Sequence, residues 1–453
     1  MATKNLLTYN AKVSSVEEAY FAPVAVVPPY YAVPLSSLYC FLSKVDPWLD
    51  DNDPPTPTQD QKYIKQVFKN MFVAKNITSN DISPVIKRVD WTTGVTYDYY
   101  RDDVDMFAVD GSGNPIYNFY VRNQYDQVFK CLWNAGVAST VEPYFEPGSY
   151  GTNNIYLGAD GYKWKYMYTI DTGSKVKFMN ADWLPIPVGA NTPNPLISAA
   201  GAGNIDVINI TNGGSGYDLA NAVVTVTVTG DGTGAAGTVQ VANGVITDIV
   251  MTSTGTNYTY ANVAITSTIG SNATAIAPTS PVGGHSYDPI SELGTSHVMF
   301  AVEFNGSEGE VIPTNITFHQ LGIIINPTTS ELSPLPANGT IYKTTTDLVV
   351  APGFGVYTND EVVYQGDIAN PTFTATVLSF DPASNVIRLI NKTGSLTTNA
   401  PVHGKTSITT RTLLTYSVPN FTLFSGYMSY IENRNGITRS SDGIEQFKFV
   451  LGY

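Results

Sequence analysis

The sequence predicts a mainly β, multi-domain protein with a few short helices, an α+β chain in which a β-sandwich-like core carries two inserted small β modules. Three observations predict it. Thr, Asn, Gly, Pro and Tyr fill the polar and turn positions, with 29 Tyr against 8 Met and only 14% charged residues, a balance that favours short strands joined by turns over helical bundles. Apolar residues recur with period two in several stretches, and one Gly- and Thr-rich zone repeats itself internally. At 453 residues the chain has room for roughly two to four domains.

Taken in order, Ser14-Ser15-Val16-Glu17-Glu18 begins like a short capped helix. DPWLDDNDPPTPTQ (46–59) is an acidic, Pro-rich loop, because Pro restricts itself and the residue before it. A helix is expected from Asp60 to about Ala74, where Tyr63, Val67 and Met71 and then Ile64, Phe68 and Phe72 fall on adjoining faces. Strands follow at 119–121 and 127–133, and GYKWKYMYTI (161–170) alternates Tyr162, Trp164, Tyr166 and Tyr168 with Lys163, Lys165, Met167 and Thr169, the pattern of a strand with one aromatic face. Residues 207–225 then align with 248–266 at an offset of 41, placing Ile208 on Ile249, Gly214 on Gly255 and Tyr217 on Tyr258. Two copies of a strand–Gly turn–Tyr–strand unit make a small module rather than a solenoid. A second, barrel-like unit has strands expected near 348–350, 361–364, 372–378 and 386–389 around an Asp381–Asn385 turn. The expected organisation is a core at 1–190, 284–344 and 410–453, a β-repeat module at 191–283 and a small β-barrel-like module at 345–409.

The formal charge is −14, and no Lys or Arg occurs between Lys177 and Lys343. Nucleic-acid binding requires cations to displace phosphate counterions, so no nucleic-acid partner is expected. Cys40 and Cys131 are the two cysteines, too few for a disulfide framework. The opening MATKNLLTYNAKVSSVEEAY has no apolar run of signal-peptide length and no later run reaches a membrane span, so neither secretion nor membrane contact is expected.

Chemistry has no evident focus. The four histidines, His285, His297, His319 and His403, lack HxH or HxxxH spacing and read as ordinary surface or sheet residues. Asp50-Asp51-Asn52-Asp53 offers oxygen ligands, and Asp110-Gly111-Ser112-Gly113-Asn114 matches the first half of a calcium loop, but Val121 stands where that loop needs Glu; both read more simply as turns. Gly213-Gly214-Ser215-Gly216 has no following Lys for a phosphate loop, and no GxSxG elbow occurs. No catalytic, cofactor-binding or metal residue is assigned, and no cofactor is expected.

Five stretches in order carry a resemblance: FLSKVDPW (41–48), PVIKRVDW (84–91), DGYKWKYMYTI (160–170), LGIIINP (321–327) and SGYMSYIENR (425–434). With them the chain resembles the baseplate wedge subunit, the gene product 8 family, of T-even-like contractile-tailed bacteriophages, over roughly 1–190, 284–344 and 410–453. The two β modules depart from the T-even type and are similar to decorations of T-even-like phages infecting cyanobacteria. The resemblance implies a non-enzymatic late structural protein of the virion that is assembled in the host cytoplasm into the tail baseplate, pairs with itself as a homodimer and contacts other wedge proteins. It also implies a rigid core, with motion at interfaces and in loops such as 46–59. A glycan-binding tail or fibre protein, recognising host surface sugars through the inserted modules, is the alternative. In the C-terminal segment, Glu432 and Arg434 lie on one face of a strand and can pair, while Asn435-Gly436 is expected to begin a loop running to Ile444.

Overall fold

The computed structural model describes residues 37–43, 46–146, 155–187, 203–221, 223–305, 312–329, 335–440 and 443–452. The helix expected at Ser14–Glu18, residues 191–202 of the first module, and Asp442 lie outside them. The chain is mainly β, with multiple sheets, three α-helices among the described residues and a small closed barrel.

Two compact units account for the chain: Ser83–Met299 with the residues from Val450, and the segment ending at Ile82 with Phe300–Phe449. The expected single core is therefore divided. Among the described residues the three breaks fall inside strands, Ile82–Lys87, His297–Asn305 and Ile444–Gly452, where no change of composition marks them.

In the second unit, a five-stranded antiparallel sheet runs in the order Ile341–Lys343, Met71–Ile77, Leu38–Ser43, Ile316–Ile325, Tyr427–Arg439. The register sets Phe41 opposite Ala74, Leu38 opposite Ile325, and Leu321 opposite Glu432. The helix Gln61–Asn70 covers one face, burying Val67 and Phe68 against Tyr39, Phe41, Ile324 and Phe421. On the other face Phe318 meets Phe72 at 6.2 Å and Phe447 at 6.0 Å, and Phe447 meets Phe304 at 6.0 Å, the aromatic filling of two layers.

Two expectations are corrected here. The helix stops at Asn70, and Met71–Ile77 is a strand. Its apolar run satisfies either period, and pairing on both sides, with Leu38–Ser43 and Ile341–Lys343, decides for strand. The C-terminal strand runs straight through Asn435-Gly436 to Arg439, because Ile437, Thr438 and Arg439 find partners in Phe318, Thr317 and Ile316.

The barrel of this unit closes in the order Thr346–Val350, Val386–Gly394, Asn370–Asp381, Val362–Asp367, Pro401–Gly404, Thr410–Ser417. Leu348, Val363, Phe373, Val377, Leu389 and Leu413 fill it. Its last strand lies beyond the boundary at 409, since closure needs Thr410–Ser417 to pair with both Thr346–Val350 and Pro401–Gly404.

In the first unit, a four-stranded sheet has the order Tyr120–Arg122, Gln127–Trp133, Lys163–Thr169, Ile155–Leu157. The repeat region forms three two-stranded ladders, the first and last of its strands, Asn209–Ser215 and Ser271–Ile276, pairing with each other. Its copies meet as a pseudo-symmetric pair: Ile208 bridges to its equivalent Ile249, and Thr225 lies opposite its equivalent Thr266. Equivalent tyrosines, Tyr217 and Tyr258, are buried in the shared core. Gly214 and Gly255 have φ of +64° and +63°, and a Cβ on either would meet the tyrosine of its own copy at 2.8 Å, which is why both copies carry glycine there.

Candidate functional site

The four-stranded sheet has two unlike faces, and both are buried. One carries Phe129, Cys131, Tyr162 and Trp164, packed with Tyr97, Val121 and Phe145. The other carries a stripe of lysines. Antiparallel register sets Lys130 directly opposite Lys165, with Lys163 opposite Trp133, and all three lysines are buried. Like charges face to face on a buried sheet are unfavourable, so carboxylates must reach them.

Those carboxylates come from the stretch that has no cation of its own. Lys130 Nζ lies 3.1 Å from Glu292 Oε2 and 3.2 Å from His285 Nδ1, and 4.0 Å from the centre of the Tyr100 ring. Lys163 Nζ donates to the Ile208 carbonyl at 2.9 Å and pairs with Asp248 at 2.7 Å. Lys165 lies 3.9 Å from Asp206. Asn209 Nδ2 donates to the Leu132 carbonyl at 2.9 Å, adding a neutral tie between the repeat region and the same sheet.

Burial sets the protonation behaviour of this cluster. It pulls the ammonium groups of Lys130 and Lys165 below the ordinary lysine range, against the opposing pull of Glu292 and Asp206. The His285 imidazole is lowered by burial and then by the neighbouring Lys130 charge. Burial alone would raise the Glu292 carboxyl, but Lys130 and His285 outweigh it and hold it below its ordinary value. A buried lysine beside His and Glu is also the material of acid–base catalysis. Here Glu292, His285 and the Tyr100 ring occupy the surroundings of the Lys130 ammonium, and a small cavity of about 210 Å³ adjoins it, lined among others by Met106, Phe107 and Pro281. The arrangement is an ionic strut between a sheet and the segments packed on it.

The histidines separate. His285, expected at a surface or in a sheet, is a buried loop residue of this cluster, its Nδ1 lying against both Lys130 and Glu292. His297 lies 4.6 Å from the Trp183 ring, His319 is buried 3.6 Å from Asp51, and His403 stacks on Tyr364. Among the described residues no group of three or more His, Cys, Asp or Glu could hold a metal ion. Asp50 Oδ1 accepts from Asn52 N at 2.9 Å, and Asp110 Oδ1 accepts from Ser112 N at 2.8 Å and Asn114 N at 2.9 Å, so these carboxylates close their own turns.

The C-terminal IENR stretch is an anchoring point. Asn433 Oδ1 accepts from Tyr63 Oη at 2.9 Å and Gln320 Nε2 at 2.7 Å, and Asn433 Nδ2 donates to the Pro55 carbonyl at 2.7 Å. Trp48 Nε1 donates to the Arg434 carbonyl at 2.8 Å. The loop 46–59, expected to move, is thus tied at Trp48 and Pro55 to the strand Tyr427–Arg439. Glu432 and Arg434 pair at 3.2 Å, and buried Arg439 reaches the Asn305 carbonyl at 2.5 Å and Glu445 at 3.6 Å.

Sequence reasoning missed the lysine stripe. Its signal was present: Lys130 interrupts an apolar strand, and Lys163 and Lys165 share a strand face, while the acids that need cations lie in the cation-free stretch. No family model matches the chain, and no curated protein matches it.

Proposed function

We propose that the chain is a structural subunit of a contractile phage tail, part of the baseplate wedge, working through contacts with a second copy of itself and with other wedge proteins and not as an enzyme. One observation carries the proposal. Three of the stretches that resemble the wedge family, at 41–48, 321–327 and 425–434, lie far apart in sequence, yet they supply three consecutive strands of one sheet. Stretches chosen only for their likeness to a family have no reason to be spatial neighbours unless they form a common framework. Both β modules fall outside these strands. The arrangement also suits assembly, since strand-rich surfaces with Tyr and Trp and few mobile lysines lose little side-chain entropy on contact. In this reading the protein is built in the host cytoplasm and resides in the virion.

The test is co-expression of the full chain with the other wedge proteins of the virus that encodes it, followed by size-exclusion chromatography with mass determination. A stoichiometric complex is the expected result. Elution of the chain alone, in every pairwise and multiple combination, would overturn the proposal.

A further inference from the structure

A cleft of about 730 Å³ opens where the loop Tyr99–Asp103 runs beside the second copy of the repeat, within the roughly 300–1,000 Å³ span of small-ligand sites. We propose that this cleft binds a neutral saccharide, a function separate from wedge assembly.

Three features define the ligand class. The first is an aromatic platform. Tyr260 is 55% exposed at the cleft wall, and Asp231 fixes the turn that presents it, accepting from Thr259 N at 2.9 Å, Thr259 Oγ1 at 2.5 Å and Tyr260 N at 3.4 Å. The offset of 41 sets Leu219 at the same place in the first copy, so the fold of the repeat does not itself require a ring there. A tyrosine presents an apolar face and a polar tip, which suits the C–H face and hydroxyl rim of a pyranose.

The second feature is a row of donors and acceptors. Arg101 donates from Nε to Asp103 Oδ1 at 2.9 Å and from Nη2 to Oδ2 at 2.8 Å, a bidentate pair at the surface. Among the described residues, Asp102 accepts on Oδ2 from Thr279 N at 2.8 Å and Thr279 Oγ1 at 2.9 Å, leaving Oδ1 as an acceptor. Asn262 lines the same cleft and adds an amide that both donates and accepts. Vicinal sugar hydroxyls, each donor and acceptor, match such a row.

The third feature is charge. Two aspartates outnumber the one arginine lining the cleft, and that arginine is already paired. The repeat region supplies no Lys or Arg. Phosphate, sulfate and uronic acids would meet an unfavourable field, so the expected ligand is uncharged.

The test uses the full chain and saturation-transfer NMR against neutral hexamers of α-1,4-glucose, β-1,3-glucose, α-1,6-mannose and β-1,4-N-acetylglucosamine, with a heparin hexasaccharide as the anionic probe. At least one neutral hexamer is expected to bind, with transfer to its ring C–H protons. Tyr260→Ala is expected to weaken it about tenfold or more, as loss of an aromatic anchor does. Tyr260→Leu, which installs the residue of the first copy and so preserves the fold, should do the same. The proposal is overturned if no neutral hexamer binds, if heparin binds in preference, or if Tyr260→Leu leaves the affinity unchanged. Because the readout is sugar binding and not co-elution with wedge proteins, it stands or falls apart from the assembly proposal.

Discussion

Lys130 is stable as a buried cation only while Glu292 stays beside it. Lys130→Met removes the partner of a carboxylate that is itself buried, and breaking such a pair costs about 3–5 kcal/mol. Lys130→Met combined with Glu292→Met removes both charges, and the double variant is expected to be more stable than Lys130→Met alone. Urea midpoints of the two variants and the parent check this; equal midpoints for the single and double variants would show that the pair is not coupled. The same cluster sets a pH response. The unfolded His285 imidazole takes up a proton near pH 6.5, whereas the folded one, lowered by burial and Lys130, does so only at lower pH. Between those values the unfolded state holds more protons, so the contribution of His285 to stability is full above about pH 6.5 and is lost as pH falls through the folded value. Stability measured from pH 7.5 downward should decline less steeply in His285→Gln than in the parent; parallel curves would contradict it.

At the scale of the element, the family-like stretches acquire physical reasons. Gly322 in LGIIINP sits between two neighbours: a Cβ there would collide with the Tyr430 carbonyl and lie 2.6 Å from the Phe41 ring. Gly322→Ala therefore forces the strands Leu38–Ser43 and Tyr427–Arg439 apart, and overpacking of this kind costs about 1–3 kcal/mol. The thermal midpoint should fall, with no comparable change for Gly111→Ala, where a Cβ meets nothing within 4 Å. Helix and strand content was legible from residues 61–70, 127–133 and 161–170, where periodicity and capping act within a few positions of one another. It failed at Met71–Ile77 and at Asn435-Gly436. An apolar run fits either period, and a turn-forming dipeptide yields to a strand when its neighbours find distant partners.

For the molecule as a whole, the two cysteines lie one in each compact unit, Cys40 in the five-stranded sheet and Cys131 in the four-stranded one. Both are free and buried, and burial raises both thiols above their ordinary pKa, so neither presents a reactive thiolate. Pulse alkylation with iodoacetamide in native buffer should leave both unmodified, and in rising urea each should label as its own unit opens. Fast labelling of either thiol in native buffer would contradict the burial of that sheet. The expected division of the chain was least legible at this scale. Composition marked the repeat region and the barrel, but a unit boundary inside a strand leaves no trace in composition.

By itself, the sequence determined the strand-rich class, the internal repeat and the turn chemistry, because these depend on residues close together along the chain. Only the tertiary structure decided that the lysine face of 163–169 is buried, that His285 and Glu292 converge on Lys130, and that Asn433 secures the loop 46–59. Each of these depends on partners dozens to hundreds of positions away, and a charged residue in a strand reads the same in sequence whether water or a carboxylate awaits it.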